Sequence, residues 1–60
     1  MTLLQIYREN QKKYPVFWVL DGDWNEFLCE NESDIILSGY ANRVVKRFIG
    51  NTHGELLVTV

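Results

Sequence analysis

The side chains most able to do chemistry lie close together, in the segment VFWVLDGDWNEFLCE at residues 16–30. Asp21, Asp23 and Glu26 place three carboxylates within six residues, and such a group can exchange protons with a substrate or hold a hard cation. The two aspartates also flank Gly22, and aspartate favours turns because its side chain bonds the backbone two residues on. Asp-Gly-Asp lacks the ligand series of a calcium loop. Cys29 and His53 are a nucleophile and a base by type. A lone cysteine in a strand is usually a small buried hydrophobe, and His53 stands beside Gly54 in an expected turn. One cysteine and one histidine cannot complete a structural zinc site. A chain of 60 residues leaves little room for a pocket of ordinary ligand size. The sequence therefore predicts no catalytic residue, no cofactor and no metal: the expectation is a protein that is not an enzyme.

Recognition chemistry is better represented. Asp21, Asp23, Glu26, Glu30, Glu32 and Asp34 put six of the eight acids within 14 residues, and Trp24 stands among them. A surface tryptophan is a frequent interface anchor, and a negative field steers encounter with a basic partner. Asp21, Asp23, Trp24, Glu26 and Glu30 are the expected contact residues for a protein partner with a basic surface. The alternative is nucleic acid, held by Arg43, Lys46 and Arg47 on one face of an expected helix, with aromatics stacking on bases. A net charge of −2 argues against that alternative. Small size and acidity are the physical type of small inhibitors and regulators, including phage proteins that block bacterial defence complexes. That likeness is one of size and charge only.

These residues need elements to hold them. Thr2-Leu3-Leu4-Gln5 fits a capping box, Leu3, Leu4 and Tyr7 share a helical face, and Pro15 stops any helix, which predicts a short helix over 3–13; the alternative is a strand, since Leu4 and Ile6 also alternate. Val16–Leu20 is a β-branched and aromatic run with no polar side, as expected of a central strand covered on both faces. Asp21-Gly22 predicts a hairpin turn with positive φ at the glycine. Beyond the turn, Trp24 to Glu30 alternates in part, with Phe27 and Cys29 facing one way and Trp24, Glu26, Leu28 and Glu30 the other, which closes a hairpin over 16–29. Asn31 can cap a helix. Ile36, Leu37, Tyr40, Ala41, Val44, Val45 and Phe48 then recur at helical spacing, predicting a main helix over about 32–49 with Gly39 inside it. A last strand is expected over 55–60. The fold class is α+β: a single domain, residues 1–60, with an about three-stranded, antiparallel-containing sheet packed with helix.

Sixty residues fold near the lower size limit, and a single cysteine leaves no internal disulfide. Association is the remaining reinforcement. The apolar strand 55–60, expected at a sheet edge, predicts a homodimer by edge pairing; the alternative is a compact monomer in which that strand is central and both its faces are covered by helices. There is no apolar run near 20 residues and no basic leader, so a cytoplasmic protein with no membrane partner is expected.

Overall fold

The computed structural model describes all 60 residues. Helix α1 spans Leu3–Asn10. Its capping box forms as the sequence predicts: Gln5 N–H donates to Thr2 Oγ1, and Thr2 N–H donates to Gln5 Oε1. Residues 11–13 turn instead of continuing the helix, and Tyr14 N–H closes back on the Asn10 carbonyl at 2.8 Å. Leu3, Ile6 and Tyr7 are the buried positions, with Leu4 half-buried at the margin of the core.

The sheet has four strands, not three: β1 (Val16–Leu20), β2 (Glu26–Cys29), β3 (Arg47–Gly50) and β4 (Glu55–Thr59), in the order β2-β1-β4-β3. β1 pairs antiparallel with β2 and parallel with β4, and β3 pairs antiparallel with β4. The sheet is therefore mixed, and β4 is interior. The expected edge position of the C-terminal strand is incorrect, and with it the expected edge-to-edge pairing through that strand. The rims are β2 and β3.

The main helix is also corrected. Helix α2 runs only over Glu32–Leu37, capped by the Asn31 side chain on Asp34 N–H at 2.9 Å. Gly39 adopts φ +80 and stops it, the left-handed role that glycine fills without a Cβ penalty. Ser38 Oγ bonds the Ile35 carbonyl and receives Tyr40 N–H, which consumes the groups that would have propagated another turn. The chain from Tyr40 to Lys46 then wraps the start of α1. Leu3 and Leu4 N–H groups donate to the Arg43 and Ala41 carbonyls, satisfying two of the donors that a helix N-terminus leaves open. Val44-Val45-Lys46-Arg47-Phe48-Ile49 is β-branched and aromatic enough for a strand, and its second half becomes β3.

Both helices contribute to one core. Leu3, Ile6, Tyr7 and Ile35 meet Phe17, Val19, Cys29, Leu56, Val58 and Val60 in a single buried cluster. Tyr7 packs edge-on against Phe17 at 5.0 Å between ring centres, an arrangement that stabilises by about 1 kcal/mol beyond area burial. All the core strand residues belong to one face of the sheet, because side chains alternate along a strand. The other face has no helix over it. β1 is central, as expected, but only one of its faces is covered.

Candidate functional site

Two surfaces stand out, the tip of the β1–β2 hairpin and the uncovered sheet face beneath it. The tip is residues 21–25. Asp21 is its hub and is almost buried. Its Oδ1 accepts the N–H groups of Asp23 and Asn25 at 2.8 and 3.1 Å. Its Oδ2 accepts Asn25 Nδ2 at 3.1 Å and the Tyr40 hydroxyl at 2.5 Å. The Tyr40 hydroxyl above all, with the Asn25 amide and the two backbone donors, holds the Asp21 carboxyl well below the usual carboxylate range, against the burial that would raise it. The same bond pushes the Tyr40 hydroxyl above its ordinary value. Tyr40 in turn meets Phe27 edge-on at 5.2 Å. The tip is braced from the core side of the sheet.

Trp24 rides on this brace. It is 98% exposed, the most exposed large apolar side chain in the protein. Its φ is +66, the only positive value at a residue other than glycine. The left-handed conformation therefore falls on Trp24 and not on Gly22, where Asp21-Gly22 had led us to expect it. The β3–β4 turn shows what normally fills such a place. There Asn51 Oδ1 accepts the N–H groups of His53 and Glu55 at 2.9 and 3.0 Å, the same closure at the same spacing. Its fourth residue is Gly54, at φ +78.

The expected acidic patch divides. Asp23 and Glu26 stay exposed at the tip, with side chains that have no partner in the chain. Glu30 is exposed at the opposite end of β2, four strand residues away, roughly 14 Å along the strand. Asp34 bonds the Glu30 N–H, and Glu32 receives Arg8 Nε at 2.8 Å. That bond keeps the Glu32 carboxyl below and the Arg8 guanidinium above their ordinary values. Asp21 is committed to the interior. Of the five expected contact residues, the structure brings together Asp23, Trp24 and Glu26 at an exposed surface.

The expected basic helix face does not exist, since no helix covers residues 43–47. The Arg43 guanidinium lies over the Tyr40 ring at 4.3 Å from its centre, on the core side. Lys46 precedes β3, and Arg47 projects from β3 on the uncovered face. Cys29 is buried and faces the core, where burial pushes its thiol up. His53 lies in the β3–β4 turn. β1 stands between β2 and β4, so the two residues are separated by at least roughly two strand spacings, about 9.5 Å, and form no pair. Nowhere do three His, Cys, Asp or Glu side chains gather as a metal site would need. No helix is long and apolar enough to cross a membrane.

The uncovered face is the part that sequence reasoning missed. Register places Leu28, Trp18, Leu57 and Ile49 in one row across all four strands. Leu28 is 44% exposed, Leu57 38% and Ile49 69%. Trp18 is half-buried, its indole N–H donating to Glu55 Oε2 at 3.0 Å. That donor, with the Asn51 amide on the other oxygen, holds the Glu55 carboxyl below its usual range. The next row, nearer the tip, is Glu26, Leu20, Thr59 and Arg47. Shallow depressions of about 470 and 440 Å³ adjoin along this face and share Leu20, Arg47 and Thr59; the second reaches Trp24. The alternation of 55–60 carried half of this signal. The other half was hidden while 44–49 passed for helix.

The fold and these surfaces define a small α+β domain with two helices on one face of a four-stranded mixed sheet. Comparison with protein-family models, with curated proteins and with solved structures finds no match to this chain.

Proposed function

We propose that this protein is a non-enzymatic protein-binding module that inhibits or regulates a larger partner by seating its hairpin tip on a basic surface. Trp24 is the anchor, with Asp23 and Glu26 supplying the complementary charge. The observation that carries the reading is the pairing of near-complete exposure with a left-handed backbone at Trp24. Folding gains nothing from the indole there, and the backbone conformation costs about 1–2 kcal/mol at a residue with a Cβ. The braced turn leaves little backbone entropy to lose on binding, and an indole with only two side-chain torsions loses little more, which favours affinity. The unpartnered acids beside it account for the preference for a basic surface and for fast, salt-sensitive association.

The test is capture from a lysate of the source organism on immobilised protein, eluted with a salt gradient. A specific partner should elute at moderate salt from the native protein and be lost from a folded variant carrying Trp24→Gly and Asp23→Asn. Retention of the pure protein on heparin, falling steeply with salt and unaffected by those two substitutions, would replace this reading with nucleic-acid binding.

A further inference from the structure

We infer that the uncovered sheet face is a self-complementary interface on which a second copy of this chain packs, face to face, about a two-fold axis parallel to the strands. The argument rests on the order of residues across the face and does not depend on the proposed role of Trp24; in the dimer Glu26 is engaged by the partner's Arg47, which leaves Asp23 as the free acid beside Trp24. The row nearest the tip begins with an acid on β2 (Glu26) and ends with a base on β3 (Arg47), with Leu20 and Thr59 between. Neither charged side chain has an ion-pair partner within the chain, whose one salt bridge is Arg8–Glu32. A two-fold parallel to the strands keeps each row level and reverses its order. It sets β2 over the partner's β3, so Glu26 meets the partner's Arg47 and Arg47 meets the partner's Glu26. The apolar row is reversed onto itself in the same operation, bringing Leu28 and Trp18 against the partner's Ile49 and Leu57. A two-fold perpendicular to the strands would leave Glu26 over the partner's own β2, where it meets no cation.

A second copy is thus matched in the apolar row and in charge at both ends of the row nearest the tip, and two sheets packing this way keep their strands within about 30° of each other. The face is small, roughly 19 Å by 17 Å from strand spacing and rise. That is below the size of permanent dimer interfaces, and association in the micromolar range is expected. The contact differs from the edge pairing that the sequence had led us to expect, because β4 is interior. Level rows also carry both hairpin tips to the same end of the dimer, so two Trp24 side chains would face one way.

Sedimentation equilibrium across the micromolar range tests this with charge reversals at exposed positions. The native protein should dimerise. Glu26→Arg alone and Arg47→Glu alone each create two like-charge contacts and should weaken the dimer by at least about tenfold, with circular dichroism unchanged. Mixing these two weakened variants in equal amounts should restore a dimer, because each then supplies the charge that the other lacks. Trp24→Gly, which removes capture if the tip is the docking element, should leave the dimer unchanged, so failure of either proposal can be told from failure of the other. A native protein with the mass of one chain throughout, or a mixture that stays monomeric, overturns the inference.

Discussion

In both hairpin turns an Asx side chain accepts the N–H groups two and four residues on, and its own N–H donates to the carbonyl of the fifth residue, Asn25 in one and Glu55 in the other. The turns differ at one place. Where the β3–β4 turn has Gly54, the β1–β2 turn has Trp24, with nearly the same φ. They differ also in bracing. Asn51 is satisfied locally by Glu55, whereas Asp21 reaches across the chain to Tyr40. The plain turn uses the residue that the backbone prefers. The other uses one that the backbone resists, and adds a brace from Tyr40.

The largest effect that sharpens this contrast is loss of the braces. Asn51→Ala removes a local turn closure and should cost about 1–2 kcal/mol in urea unfolding. Asp21→Ala should cost more, because it also strands the Tyr40 hydroxyl and loosens the contact with Phe27. Equal losses would mean that the two turns are held alike.

Exchanging the fourth residues comes next, and here the signs should be opposite. Gly54→Trp sets a Cβ at ordinary contact distance, 3.6 Å from Pro15 Cδ, and the left-handed backbone opposes it by about 1–2 kcal/mol. Trp24→Gly should hold or raise the thermal midpoint. It relieves the same strain, while the added chain entropy of glycine limits the gain to at most about 1 kcal/mol. A clear drop in midpoint for Trp24→Gly would show that the indole serves the fold.

A smaller effect separates the turns by pH. The folded Asp21 carboxyl titrates below its unfolded value, so its stabilisation is complete above about pH 4 and fades as pH falls further. Tyr40 titrates above its unfolded value, so its share is complete below about pH 10 and is lost as pH rises through the folded value. Asn51 itself does not titrate, but its partner Glu55, held below its usual range by Trp18 and then by Asn51, adds a separate share to the acid limb that these two variants leave in place. Asp21→Asn should therefore flatten part of the acid limb of stability against pH, and Tyr40→Phe part of the alkaline limb. Denaturant midpoints measured from pH 2 to 11 check both, and limbs unchanged in the two variants would remove the Asp21–Tyr40 bond from the account.

Local signals in the sequence were dependable where one periodicity stood alone. Thr2 and Gln5 announced the capping box, and 16–29 announced its hairpin and the sides of Phe27 and Cys29. Residues 36–49 failed because two patterns coincide there. Their apolar positions fit a helix of period 3.6, while Val44 to Ile49 is equally a β-branched run, and short apolar runs do not decide between the two. Gly39 held the answer as a helix stop, as did Gly50 to Gly54 as a turn between two strand-like segments. Trp24 was legible as a contact candidate from its acidic neighbours. Its left-handed backbone was not, because the turn closes over five residues and not at Asp21-Gly22. The uncovered face required the strand order, and that order depends on a parallel β1–β4 pairing between segments 35 residues or more apart, which local pattern does not encode.

The most direct test of the tip is quantitative capture of partner protein on native and Trp24→Gly chains immobilised at equal density, both verified as folded. If Trp24 is held out for contact, at least one protein should be retained by the native chain and fall by about thirtyfold or more on the variant, the loss expected of an interface anchor. Equal retention of every captured protein by the two chains would contradict the account.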